Sequence, residues 1–300
     1  MKAIHSIHLL LTVLILIFGC SSPYDFNAKS IVYYSVDGHV SNLGSSIELT
    51  YSKAYDGNSL SFNPVLDATV IVEDSLGNSY QFVDLKQIGL YTPQGAFSPE
   101  VGKKYKLKIF VESITIESNY QEMLETVPFH LQADSAQQTG VNETGPVVSN
   151  GSMIKTLVEA SRPTKYFRWK CNETYTDPNP QIGFVKILYN NNFVMSESDD
   201  KLITSKDILF KPQMYPPPPS LTDGSETIHT YTVTEESLTL DAYQYWVLIR
   251  KQLDNTGSIF DTMPTTIQGN LQATNSEQNI VLGYFYVSNS LNNTIGLIKN

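Results

Sequence analysis

Apolar and polar positions alternate with a period of two along most of the chain, in short runs. Ile31–Val40 and Ser46–Tyr51 are alternating or apolar stretches of strand length. Ala68–Val72 follows, and Asp74-Ser75-Leu76-Gly77-Asn78 turns the chain into Ser79–Val83. Gly89-Leu90-Tyr91 reads as a short strand. In Tyr105–Val111, Tyr105, Leu107, Ile109 and Val111 alternate with Lys106, Lys108 and Phe110, and Ser113–Ser118 completes the set. About seven short strands, with turn signals roughly every ten residues, predict an immunoglobulin-like β-sandwich over residues 30–129. Pro128 closes it. Residues 130–150 are polar and carry Gly140, Gly145 and Pro146, which predicts a linker.

A second β-rich domain is expected over residues 151–300, opening with Met153–Ala160. In Tyr166–Glu173, Phe167, Trp169 and Cys171 share one face while Arg168, Lys170 and Asn172 share the other, the pattern of a half-buried strand. Cys171 then sits in the core as a small apolar residue. Gly183–Tyr189, Asp207–Lys211 and Ile228–Val233 are further strands. Pro216–Pro219 cannot pair in a sheet and predicts a stiff exposed loop.

Only one long pattern is helical. Ala242, Trp246, Ile249 and Leu253 fall at i, i+4, i+7 and i+11, an apolar stripe that predicts a helix near residues 239–256. Thr239 is its N-cap, Asp241 favours the positive end of the dipole, and Gly257 supplies a left-handed residue past the end. Gly269-Asn270 reads as a turn before an apolar strand, Ile280–Val287. The expected architecture is therefore mainly β, with one amphipathic helix laid across a sheet and Trp246 as its main anchor. Trp169 is the corresponding anchor of the preceding strand.

The N-terminus changes the picture. Lys2 precedes the apolar run Leu9–Phe18, which ends at Gly19-Cys20 and is too short to span a bilayer. Residues 1–19 have the shape of a signal peptide. Ile17-Phe18-Gly19-Cys20 resembles a bacterial lipobox, in which the Cys20 thiol takes a diacylglycerol and residues 20–29 become a tether. The competing reading is an ordinary secretory signal with a fortuitous cysteine. Acyl chains bury about 0.8 kcal/mol per methylene, so a multiply acylated Cys20 would hold the chain on membrane lipid. By analogy with enteric bacteria, Ser21 does not retain such a protein in the inner membrane.

Composition and charge narrow the classes further. The chain is 41% hydrophobic and 17% charged, a globular composition, with formal net charge −10. No Lys/Arg cluster stands out, which argues against nucleic acid and against electrostatic docking on anionic lipid. Cys171 is the only cysteine besides Cys20, so no internal disulfide forms without using the lipid site.

Candidate chemistry is sparse. Once His5 and His8 leave with the signal peptide, His39, His130 and His229 remain, each without a Cys, His or acidic partner at metal-ligand spacing. No nucleophile elbow, zincin helix, phosphate loop or dinucleotide fingerprint occurs. No metal, cofactor or catalytic residue is expected, and Ser198-Asp199-Asp200 and Glu235-Glu236 read as solvated charge runs. The eighteen tyrosines suit interfaces as well as half-buried strands. Tyr215, with Pro216, Pro217, Pro218 and Pro219, is the candidate contact surface for a ligand or partner. Asp74-Ser75-Leu76, Asp134-Ser135-Ala136 and Asp261-Thr262-Met263 fit an acid–hydroxyl–aliphatic O-glycosylation pattern that a chain of this length also matches by chance.

An ordered run near the C-terminus carries a resemblance. Tyr243, Tyr245 and Trp246 (Y-x-Y-W) come first, then Gly257, Ser258, Phe260 and Asp261 (G-S-x-F-D) and Pro264. Gly269-Asn270 and Gly283-Tyr284-Phe285 complete it. This run resembles the signature of a Bacteroidota lipoprotein family catalogued as domain-of-unknown-function family four-two-four-nine. The order of A-T-V-I-V-E-D-S-L-G-N, G-L-Y and V-G-K-K-Y-K-L is similar to its N-terminal half. The resemblance implies an outer-membrane, surface-facing lipoprotein, and the missing chemistry implies that it is not an enzyme. The resemblance also implies an accessory role beside a TonB-dependent transporter in nutrient uptake. Trp246, Trp169, Tyr243, Gly257, Gly269, Asn270, Gly283, Tyr284 and Phe285 are expected to be structural anchors. Two other classes stay open: a structural or adhesive surface protein, and a hydrolase with an unrecognised site.

Overall fold

A computed structural model describes residues 33–52, 62–126, 128–142, 145–157, 164–176, 184–188, 193–197, 208–210, 227–255, 265–274 and 280–299. In chain order, the first strands are β1 (Tyr33–Ser41), β2 (Ser46–Ser52), β3 (Phe62–Pro64), β4 (Thr69–Asp74), β5 (Ser79–Val83) and β6 (Leu90–Pro93). Then come β7 (Lys104–Val111), β8 (Ile114–Ser118), β9 (Gln121–Glu122), β10 (His130–Asn142), β11 (Gly145–Leu157), β12 (Tyr166–Thr176) and β13 (Phe184–Leu188). β14 (Val194–Glu197), β15 (Ile208–Phe210) and β16 (Thr227–Leu238) lead into helix α1 (Leu240–Leu253). β17 (Leu271–Ala273), β18 (Ile280–Ser288) and β19 (Ser290–Lys299) end the chain.

The mainly β expectation holds. The strands expected over residues 30–129 are present, but they do not form a sandwich by themselves. The ladder runs β17-β8-β7-β4-β5-β6-β2-β1-β18, so strands from the far end of the chain occupy both ends of the path. β18 lies parallel to β1 from Tyr33↔Ile280 to Ser41↔Ser288. Period-two alternation explains the core: Val36 and Val40 of β1, Leu107 and Ile109 of β7, and Phe285 and Val287 of β18 all point inward.

The two ends of this path are joined by a side chain. Asn270, just before β17, donates its Nδ2 to the Phe285 carbonyl at 2.8 Å and accepts the Phe285 N–H on Oδ1 at 2.9 Å. Its amide thus stands in for a backbone amide beside β18. Gly269 and Gly283 make the approach possible. A Cβ on Gly269 would lie 1.5 Å from the Gly283 carbonyl oxygen. Gly283 itself has φ +99 and would drive a Cβ to 1.9 Å from the Val36 oxygen. The expected Gly269-Asn270 turn is in effect a clasp.

The linker expected at 130–150 is a correction. β10 and β11 pair antiparallel without a break from His130↔Leu157 to Asn142↔Gly145. A ribbon held by its backbone ladder needs no alternating apolar face, so its sequence shows none. β18 crosses the expected domain division to reach β1, and Val32–Asn300 forms one compact unit.

A second sheet, β13-β12-β16-β19 with β14 also on β12, has its own core of Phe129, Phe167, Trp169, Cys171, Tyr231 and Val233. Trp169 is an anchor as expected: it is buried, meets Phe129 edge-on at 5.1 Å and donates Nε1–H to Ser196 Oγ at 2.9 Å. Helix α1 starts where its sequence says, with Thr239 Oγ1 accepting the Ala242 N–H. It ends at Asp254, whose N–H reaches the Arg250 carbonyl; Gly257 lies outside the described residues. The expected stripe packs only in part: Ala242 is buried and Trp246 half-buried, but Leu253 is 49% exposed.

Candidate functional site

The odd-numbered face of β1 and the even-numbered face of β18 turn away from the large core. They carry Asp37, His39, Tyr284, Tyr286 and Ser288 toward β12, β16 and α1. Asp37 pairs with Tyr284, and His39 with Tyr286, in the parallel register. The His39 and Tyr286 rings stack at 4.4 Å. Facing them, Arg168 of β12 and Glu236 of β16 are directly opposed across their strands.

Arg168 is 2% exposed, and its Nε donates to Glu236 Oε2 at 2.6 Å. Lys170, with 39% of its side chain accessible, holds the other carboxylate oxygen at 2.6 Å. Arg168 Nη2 donates to the Tyr286 hydroxyl. The guanidinium carbon lies 3.8 Å from the Trp246 ring centroid, 4.8 Å from that of Tyr286 and 5.8 Å from that of Phe193. The main anchor of α1 therefore packs on a buried cation, an arrangement that favours both partners.

Electrostatics follow from this enclosure. Burial alone would raise Glu236, but Arg168 and Lys170 outweigh it and bring the carboxyl down to about 2. Burial lowers Lys170, reinforced by Arg168. Burial takes His39 down to about 3, so its imidazole is neutral. Burial raises Asp37 against the pull of Arg168 and Lys170. Asp37 is nonetheless reached by solvent. The half-buried Lys170 lies within its electrostatic reach, so the charged cluster runs from the sealed Arg168 and Glu236 out to an exposed carboxylate.

Two kinds of polar group on this side have no hydrogen-bond partner among the described residues. The Asp37 carboxylate is exposed and open to water. Trp246 Nε1 and the Tyr284 hydroxyl are buried and unpaired. Tyr284 stacks on Tyr245 at 4.6 Å, and Tyr245 meets Trp246 edge-on at 5.6 Å. Burial, and then Asp37, push Tyr245 up to about 12. Buried polar groups are ordinarily hydrogen-bonded, so unpaired ones gathered in one place need an explanation.

A nucleophile-like pair also occurs. His39 Nε2 lies 2.8 Å from Ser288 Oγ, which is 2.9 Å from Ser290 Oγ, and Ser41 Oγ donates to Ser290 at 2.8 Å. Ser288 is 0% exposed, so this chain of hydroxyls ties β1 to the β18–β19 junction inside the protein. Cys171 is likewise buried, and burial followed by Glu173 raises its thiol to about 12, far from a reactive thiolate.

The residues singled out in the sequence divide into three groups. Cys20, Tyr215, Pro216, Pro217, Pro218, Pro219 and Gly257 lie outside the described residues. Gly269, Asn270, Gly283 and Phe285 build the clasp, and Tyr243 packs on Tyr166 at 4.9 Å. Trp246 packs on Arg168 and Tyr284 on Tyr245. Arg168, Lys170 and Asp37 were not named as candidate site residues, and His39 and Glu236 were named only to be set aside. Glu235-Glu236 is a correction: both are buried, not solvated. The missed signal was continuity, since no Gly, Pro, Asn or Asp separates Val233 from Leu238. Two adjacent acids within one strand must point to opposite faces, and each needs a partner there.

A family model described as "Domain of unknown function (DUF4249)" matches residues 22–294. No curated protein and no solved structure matches the chain.

Proposed function

The chain belongs to the DUF4249 family, and we propose that it is an outer-membrane lipoprotein that holds a ligand without covalent chemistry. In this reading Cys20 is acylated and the protein faces the cell surface beside a TonB-dependent transporter. The observation that supports the binding role is that the exposed Asp37 and half-buried Lys170 bring the charged cluster to the surface without a catalytic arrangement beside them. The groups that could do chemistry are placed poorly for it. Ser288 is sealed, His39 is too weak a base near neutral pH, and Glu236 is fixed between two cations. The lipobox-like run ending at Cys20 supports the anchor. Anchoring places the protein and a co-anchored partner in two dimensions, where modest affinity suffices.

The test uses tagged full-length protein recovered from outer membrane in gentle detergent. A fatty-acid label should enter the wild type and not Cys20→Ala. Native mass spectrometry should show a bound mass that Asp37→Ala lacks, and a co-purifying β-barrel. A bound mass indifferent to Asp37→Ala, or substrate turnover abolished by a point mutation, would overturn the reading. Recovery without a barrel would remove only the transporter.

A further inference from the structure

We propose that the end of the large sheet at which β1 begins rests on the lipid bilayer, with the β5–β6 loop as its apolar foot. This rests on the reading of Cys20 as an acylated anchor and adds a second contact, one that sets how the protein stands on the membrane. The loop is held from within. The Asp84 carboxylate accepts the Lys86 N–H at 3.2 Å on one oxygen and the Gly89 N–H at 2.6 Å on the other. Gly89 has φ +77 and lies so close to β2 that a Cβ would fall 2.6 Å from the Leu49 carbonyl oxygen. Held in this way, the tip shows Leu85 at 83% exposure and Ile88 at 52%. Lys86 stands between them, with a stem long enough to lie along apolar surface while its ammonium reaches the headgroups.

The ladder places more apolar surface at the same end. Successive antiparallel pairings make β5 and β7 run opposite to β1, so both finish where β1 begins. The outward positions of β7 read Lys104, Lys106, Lys108 and then Phe110, so the strand exchanges lysine for an exposed aromatic as it reaches this end. Ile280 is also exposed and opens β18 beside Tyr33, the first residue of β1. The occupant follows from the anchor. Residues 20–32 join the acylated cysteine to Tyr33, and a chain of that length reaches at most about 45 Å. Apolar side chains confined so close to lipid meet it at high effective concentration, and each gains by leaving water. The second sheet is tied to the opposite end of β1, where Ser41 Oγ donates to Ser290, away from the foot. With net charge −10 and no Lys/Arg cluster, the contact is apolar and does not depend on anionic lipid.

The experiment places an environment-sensitive fluorophore on Leu85→Cys or Ile88→Cys of the mature acylated protein in phosphatidylcholine vesicles, with Leu76→Cys as control. Leu76 is 73% exposed on the β4–β5 turn, at the other end of the sheet. Cys171 is 3% exposed and an acylated Cys20 has no free thiol, so the wild type should take no label. The two loop labels should shift to the blue and be quenched by lipids with brominated chains, while the Leu76→Cys label reports water. On the unacylated mature chain carrying Cys20→Ser, in buffer, all three should report water. A Leu85→Cys label as wet as the Leu76→Cys label on vesicle-bound protein overturns the docking and leaves the anchor standing. Shielding already present in buffer also overturns it. A dependence on protein concentration would then assign the foot to a second copy, and independence of it to another segment of the same chain. Labelling of the wild type at Cys20 would show that no acyl chain is there, and both readings would fall.

Discussion

Glu236→Gln is the sharpest perturbation of the buried charge cluster. It keeps the shape of the side chain, removes one buried negative charge, and leaves Arg168 at 2% exposure facing Lys170 without its counter-ion. Removing one partner of a buried pair costs about 3–5 kcal/mol. The Trp246 face at 3.8 Å and the Tyr286 hydroxyl still serve the guanidinium, which favours the lower end. The shift of the carboxyl gives a second figure. The fall of the Glu236 carboxyl from 4.5 to about 2 corresponds to roughly 3 kcal/mol. Because the folded value is the depressed one, this stability is complete above 4.5 and fades as pH drops toward about 2. Urea unfolding of wild type and Glu236→Gln should therefore differ by about 3 kcal/mol at neutral pH. The gap should close in acid. Replacing both Arg168 and Glu236 by methionine should restore most of the loss. A single-variant cost under about 1 kcal/mol, the worth of an exposed pair, would refute the reasoning. So would a difference that ignores pH.

Three further outcomes follow from the same geometry. His39 is held at about 3 by burial and stays neutral when folded, while the unfolded chain takes up a proton below 6.5. Stability should therefore fall as pH drops from 6.5 toward 3, and His39→Gln should flatten the upper part of that fall in urea titrations. Asn270→Ala deletes both bonds to Phe285 and should cost about 2 kcal/mol in thermal melts; a change near zero would mean that water replaces the clasp. A protease nick between β10 and β11 should leave the fragments together on native gel filtration, because β18 remains on β1. Release of two separate folded pieces would restore the linker.

Much of the local structure was legible because local rules dictate it. Thr239, Asp241 and the stripe from Ala242 placed the helix. Alternation placed Phe167, Trp169 and Cys171 in a core. What stayed hidden depends on pairing between distant segments. Nothing in Asp37 or Glu236 signals the other, since β1 and β16 are far apart in sequence and belong to different sheets. Arg168 looked like a solvent-facing residue because its period is right for one. Its burial comes from the β1–β18 face and Trp246 closing over it, which a single strand's pattern cannot encode. The ribbon of β10 and β11 was missed for the opposite reason: its ladder makes no demand on side-chain polarity.

The clasp and the cluster around Arg168 are one construction. On β18 successive residues face opposite ways, so Phe285 fills the large core while Tyr284 and Tyr286 face α1 and Arg168. Asn270 grips Phe285 through its backbone, and so fixes the height of the strand that carries both tyrosines. Gly283 brings that strand against the Val36 carbonyl, one residue before Asp37, and the register then sets Asp37 beside Tyr284. The helix supplies the remaining wall from Tyr245 and Trp246. Residues of the C-terminal run that resembled a family signature thus come from three separated segments, and the fold gathers them around the same few ångströms.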